Sequence, residues 1–290
     1  MDANEQILYA RRSLLGLAVG DAFGQQFFSR RGIFWLQYRT PPEAPWRWTD
    51  DTAMAIEIVA ELAEAGAIDQ DRLAKRFADR YIADPDRGYG GGAMKLLQAI
   101  HEGDDWRRKA SRMFEGTGSM GNGGAMRVAP LGAYFAGEPD RAAEQARLSA
   151  EVTHYNPDGI DGAVAIGVAA SLIAGGERDP QALFDGVLSR LCDTTVRVMV
   201  DKARKLSPDA SIQDAVDLLG SGDAVLAWDT APFTLWIAFH HLSDYEEAIW
   251  KCVEGRGDRD TTCAIVGGML AAGGVMPPEA WIEATEPLDL

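Results

Sequence analysis

Two short stretches place carboxylates where a helix begins. In "RWTDDTAMAIEIVAEL", Arg47 to Leu62, the residues Thr49, Asp50 and Asp51 precede an apolar run, and in "GRGDRDTTCAIVGGML", Gly255 to Leu270, Asp258, Asp260 and Thr261 do the same. Such residues at a helix start accept hydrogen bonds from the orphan N–H groups of the first turn and suit the helix dipole. Capping therefore explains either stretch taken alone. Two junctions of this composition in one chain can also converge on a cation site built wholly from oxygen ligands. Such a site suits Mg²⁺, Mn²⁺ or Ca²⁺ rather than zinc, because hard cations prefer carboxylate, hydroxyl and water. Four aspartates bring about four negative charges into a small volume, a costly arrangement that two divalent ions would balance.

Three glycine-rich pieces accompany the acidic junctions: "VGDAFGQ" (Val19 to Gln25), "RGYGGGA" (Arg87 to Ala93) and "GTGSMGNGGAMRVAPLG" (Gly116 to Gly132). Glycine lets backbone N–H groups approach a ligand closely, and such groups at a helix start make a phosphate site. The third piece is expected to run directly into a helix.

These groups must be held by helices. Apolar residues recur at helical spacing over Glu5 to Val19, Thr52 to Ala65, Asp71 to Ile82, Ala93 to His101, Ala125 to Phe135, Asp140 to Val152, Ile160 to Ala174, Ser211 to Leu219, Tyr245 to Val253 and Thr261 to Ala272. Strand signals are sparse, so the fold class is all-α. No fixed-period repeat, low-complexity tract or Pro/Ser linker divides the chain, and residues 1–290 are expected to form one domain. Gln25 to Arg47, with Pro41, Pro42 and Pro45 and no helical face, is expected to be a surface loop.

The 290 residues are 47% hydrophobic and 25% charged, as in ordinary globular proteins, with a formal net charge of -16. That charge repels unmodified nucleic acid and anionic membranes. Three cysteines without a CxxC pair argue against a disulfide framework or a zinc site and fit a reducing cytoplasm. The apolar run Leu14 to Val19 is too short to span a bilayer and is followed by Asp21, so no targeting or membrane segment is expected.

"GLAVGDAFG", "WTDDTAMA", "GNGGAMRVAPLG", "VTH" and "GDRDTT" occur in the order and approximate spacing of the ADP-ribosylglycohydrolase family, which the chain resembles from about Gly16 to about Gly268. The resemblance implies a compact, orthogonal all-α domain with two Mg²⁺ or Mn²⁺ ions at the bottom of a cleft that holds ADP-ribose. It implies that Thr49, Asp50 and Asp51 are one metal-ligand group and Asp258, Asp260 and Thr261 the other. Asp260 would bridge the ions, and Asp50 or Asp51 would be the base. Gly118, Ser119, Met120, Gly121 and Asn122 match the loop that holds phosphates and ribose, and His154 matches a histidine near them. Gln25 and Tyr89 are further candidates for the cleft wall. Several family members carry a glutamate just after the first motif. Here Gln25, Gln26, Phe27 and Phe28 follow, and no acid occurs before Glu43.

The implied activity is metal-dependent cleavage of the bond between ADP-ribose and an acceptor, most simply a protein side chain such as arginine. The alternatives are a hydrolase of a free ADP-ribose derivative, a binding protein with weak turnover, and an immunity factor against an ADP-ribosylating toxin. The partner is accordingly an ADP-ribosylated protein or a small ADP-ribose conjugate.

Overall fold

Among residues 1–288, which the computed structural model describes, the chain forms sixteen α-helices and no strand. The last two residues of the expected 1–290 span lie outside the described residues. The chain begins with α1 (Ala3–Gln25), α2 (Gly32–Tyr38), α3 (Asp50–Ala65), α4 (Gln70–Ala83), α5 (Gly91–His101) and α6 (Trp106–Gly116). It continues through α7 (Ala129–Tyr134), α8 (Pro139–Glu151), α9 (Pro157–Ala174), α10 (Pro180–Leu188), α11 (Thr195–Lys205) and α12 (Ile212–Leu219). The final four are α13 (Ala227–His240), α14 (Tyr245–Glu254), α15 (Arg259–Ala272) and α16 (Glu279–Ala284).

The pairing of α1 with α15 fixes the site. Gly16, Gly20 and Gly24 recur every four residues and so share one face of α1. A β-carbon on Gly16 would collide with the Gly267 carbonyl, one on Gly20 with that of Cys263, and one on Gly24 with that of Arg259. The two backbones therefore touch along just over two turns, and the Ser13 hydroxyl donates to the Gly268 carbonyl at 2.8 Å. This corrects the reading of "VGDAFGQ": its glycines are a helix-packing stripe, not a ligand-binding turn. The contact also carries α1 past Val19 to Gln25, setting Asp21 beside the start of α15.

Around this pair the core is closed by α9, which packs against α7, α8, α10, α13 and α15. By length and composition α9 could cross a bilayer, but 78% of it is buried inside the protein. An aromatic cluster secures the chain before α3. Phe23 stacks on Trp281 with centroids 4.2 Å apart and meets Trp46 and Trp250 edge-on. Burying each such ring contributes about 2–3 kcal/mol. Trp46 and Trp48 are core residues. All three cysteines are free.

Residues 25–47 are not the uniform loop expected. A 3-10 turn over Gln26–Phe28 leads into α2, which ends where Arg39 adopts φ 46°. The residues Ile33, Phe34, Trp35, Leu36 and Tyr38 are apolar on every side of this short helix, so no periodicity betrays it. Ile33, Phe34 and Tyr38 are left exposed. Ala125 to Phe135 is not one helix either: turns separate a 3-10 turn at Asn122–Gly124 from α7, whose second residue is Pro130.

Candidate active site

Neither acidic junction is a cap of the expected kind. Thr49 precedes α3 and Asp258 precedes α15, yet neither side chain bonds an N–H of its own helix start. The start of α3 is instead capped from α1. Asp21, fully buried, accepts from Thr49 N at 2.9 Å, Thr52 N at 3.1 Å, Thr49 Oγ1 at 2.8 Å and Thr52 Oγ1. Sequence reasoning missed this role, although an aspartate amid the apolar residues of "GLAVGDAFG" was its signal.

With the cap supplied by Asp21, the carboxyls of α3 are free to face other things. Thr49 Oγ1 lies 2.8 Å from Asp21 Oδ1 and 3.0 Å from Asp51 Oδ2. One hydroxyl proton cannot serve both carboxylates. Asp51 Oδ1 is buried with no hydrogen-bond partner. Asp258 stands close enough to Asp260 to raise its pKa.

The electrostatics agree. Burial pushes Asp21 up to about 6 despite its hydrogen bonds, and burial with the charge of Asp21 pushes Asp50 up to about 7. Asp51 is raised well above the carboxylate range by burial, then by Asp21 and Asp260. Asp260 is raised likewise by burial, then by Asp258 and Asp21. Five carboxyls from α1, α3 and the start of α15 thus repel one another across one site. The sequence brought four of them forward; Asp21 is the fifth.

The donor set fits a hard cation: carboxylates, threonine hydroxyls, an unpartnered buried oxygen and surplus negative charge. Among the described residues, however, no three His, Cys, Asp or Glu side chains form a ready ligand set. Asp21 is turned to the hydroxyls and Asp258 to Asn122, so these side chains would have to re-aim to close on an ion.

The glycine loop joins this site through one bond. Asn122 Nδ2 donates to Asp258 Oδ2 at 2.7 Å and to Thr230 Oγ1 at 3.1 Å. The loop itself lies on the chain after α8. Gly118 takes φ 74°, and a β-carbon there would stand 2.6 Å from Asn156 N. Asn156 Nδ2 also donates to Thr117 O at 3.0 Å. Ser119 Oγ accepts from Gly121 N, and Met120 O accepts from Ala227 N. His154 is buried with its Nε2 edge against Gly121 and Gly123.

Other candidates fall differently. Tyr89 is 5% exposed, its ring edge-on to Tyr81 and its hydroxyl unpartnered. It is packed in the core, close enough to Asp50 for that charge to raise its pKa after burial itself. Gln25 lies one turn beyond Asp21 on α1 and is partly buried. Thr261 is buried, and its N–H donates to Asp260 Oδ1 at 2.9 Å. Glu43 is a solvated turn residue, 80% exposed and paired with Arg31 at 3.0 Å. His240 bonds the Trp236 carbonyl at the end of α13. Arg87 was not foreseen: its guanidinium lies 3.5 Å from the Trp48 ring and bonds Glu286, while its carbonyl accepts from Asp50 N at 2.8 Å. That holds the first acidic junction in place.

A family model described as ADP-ribosylglycohydrolase matches residues 5–289. The chain belongs to the ADP-ribosylglycohydrolase family. An uncharacterised protein of Archaeoglobus fulgidus is 30% identical, over 94% of this chain and 90% of that protein. ADP-ribosylhydrolase ARH3 of Homo sapiens is 29% identical, over 82% of this chain and 74% of that protein. The Xenopus tropicalis ARH3 is 28% identical, over 90% and 86%. Among solved structures, an ADP-ribosylglycohydrolase-related protein complex superposes with a TM-score of 0.66 over 98% of this chain and 94% of the other, at 23% identity. That likeness shows the all-α fold.

Proposed function

We propose that the chain is a metal-dependent hydrolase that cleaves the bond between the anomeric carbon of ADP-ribose and an acceptor atom on a protein side chain, arginine being the first to test. The reading is carried by the meeting of two acidic junctions with the glycine loop, joined by the Asn122–Asp258 bond. Relatives named as ADP-ribosylhydrolases support it.

Thr49, Asp50, Asp51, Asp258, Asp260 and Thr261 would hold two Mg²⁺ or Mn²⁺ ions. When bound, these supply the positive charge that the carboxylates lack and orient the ribose hydroxyls. The chain's own groups do the rest. The Ser119 and Met120 N–H groups bind phosphate oxygens, those of Gly118, Gly121 and Asn122 being bonded within the protein, and Asp50 or Asp51 accepts the proton of the attacking water. The carboxylates also favour the positive charge that develops on the ribose ring as the bond breaks.

A second reading has a specific observation behind it. In the stretch just after the first motif, where several family members carry a glutamate, no acid occurs in 26–38, and Phe28 lies 53% exposed with Arg259 over its ring at 5.0 Å. A chain without that carboxyl would be an ADP-ribose-binding protein of low turnover.

Release of free ADP-ribose from arginine-linked and serine-linked substrates, with Mg²⁺ and with EDTA, separates the two. Metal-dependent release from either linkage supports the hydrolase. Binding of ADP-ribose with no release from either favours the second reading.

A further inference from the structure

Behind the glycine loop, three side chains stand in line. The Arg127 guanidinium is fully buried, with the Phe77 ring 4.4 Å away. Its Nη2 donates to the Ser149 carbonyl at 3.1 Å and to Thr153 Oγ1 at 2.8 Å. Thr153 Oγ1 in turn lies 2.8 Å from His154 Nδ1. The far edge of the imidazole faces the loop: a β-carbon on Gly123 would stand 3.2 Å from Nε2, and one on Gly121 3.4 Å. No group among the described residues bonds Nε2.

A guanidinium has no acceptor, so the Thr153 oxygen must accept from Arg127. The hydroxyl then has one proton to place, and its one remaining partner is Nδ1. If Nδ1 also carried a proton, both neighbours would donate to the same oxygen. The hydroxyl proton would be left buried without an acceptor, which is unfavourable. A bare Nδ1 accepting from Thr153 satisfies the hydroxyl and Nδ1 together. In a neutral imidazole the proton is then on Nε2.

We infer that Thr153, held by Arg127, is a positioning residue that fixes His154 as the Nε2–H tautomer, a neutral donor aimed at a ligand oxygen in the 121–123 loop. Only the identity of that oxygen, a phosphate or ribose oxygen of ADP-ribose, rests on the proposed function. Burial beside Arg127 lowers the His154 pKa to about 3, so the ring stays neutral at working pH. The ring then supplies a directed hydrogen bond rather than a charge, which suits a site that must release its product.

The test is the ring-nitrogen spectrum of ¹⁵N-labelled protein at pH 7. The chain has only four histidines, and His154→Asn assigns the signals of interest. The expected result is a protonated Nε2 and a bare Nδ1 in the free wild type. Thr153→Ser should keep the pattern. Thr153→Val should lose it and weaken ADP-ribose binding about tenfold, the worth of one hydrogen bond. A protonated Nδ1 in the wild type, or an unchanged pattern in Thr153→Val, overturns the inference. Should Thr153→Val not fold, the wild-type and Thr153→Ser spectra decide. If ADP-ribose does not bind, the proposed function fails, while the free-protein spectrum still settles the tautomer.

Discussion

Gly20 of α1 lies directly against the carbonyl of Cys263 of α15, with no room for a β-carbon between them. The contact sits one residue from Asp21 and one turn from Asp260, so the spacing of two backbones sets the spacing of two carboxyls. Gly20→Ala must push the helices apart, and overpacking of this kind costs about 1–3 kcal/mol. The variant should melt several degrees lower and lose activity. Gly91→Ala, where a β-carbon meets nothing within 4 Å, should stay within about 0.5 kcal/mol of wild type. Thermal melts of both variants check the pair.

The acidic site should make the metal-free protein less stable as pH rises. Asp21 at about 6, Asp50 at about 7, and Asp51 and Asp260 well above their usual range all bind protons more tightly folded than unfolded. Their stabilisation is complete below the unfolded carboxylate range near 4 and is lost as pH rises through the folded values. His154 acts oppositely: its folded value of about 3 removes stability as pH falls below about 6.5. Between pH 6.5 and 8 the carboxyls act alone of these two. There the slope should approach about 1.4 kcal/mol per pH unit for each group still protonated in the folded state, falling to about half that at its folded pKa. Melting in EDTA should fall across that window, and Mg²⁺ should flatten the fall; a flat profile in EDTA would contradict the cluster.

Asp260→Asn should separate stability from function. It removes one of the mutually repelling charges, so the EDTA form should melt at or above the wild-type temperature. Mg²⁺-dependent ADP-ribose release should fall by about a hundredfold or more, the scale expected when a charge-stabilising group is lost. Calorimetry and a product assay on the same preparation read both effects. Retained activity would remove Asp260 from the ligand set.

How much of this was legible follows from what each residue does. The helix after Asp51 was visible because Ile58, Val59 and Leu62 recur on one face of α3. The use of Thr49 was not, since its partner Asp21 lies 28 residues earlier and only folding brings the two together. Helix α13 has no polar face to read: eleven of its fourteen residues are buried, and Pro232 lies inside it. Helix α11 begins with the β-branched run "TVRVMV", which carries strand propensity and is overridden by packing against α13. The acidic and glycine motifs were legible as composition, whereas Arg87 and the Arg127–Thr153–His154 line are matters of geometry.

The rim of the cleft should govern substrate choice. Gln25 ends α1 one turn after Asp21, and Gln26 turns away, its Nε2 donating to the Ala22 carbonyl at 3.0 Å. Neither side chain bonds the acidic cluster, so Gln25→Ala should leave the Mg²⁺ concentration for half-maximal activity within about twofold. The ratio of kcat/KM between arginine-linked and serine-linked substrates should change by about tenfold, because a partly buried amide can discriminate acceptors by roughly one hydrogen bond. Gln26→Ala, which removes a bond to the helix rather than to the cleft, should leave that ratio near wild type. A shift in metal requirement without a shift in substrate ratio would place Gln25 with the acidic cluster instead of at the entrance.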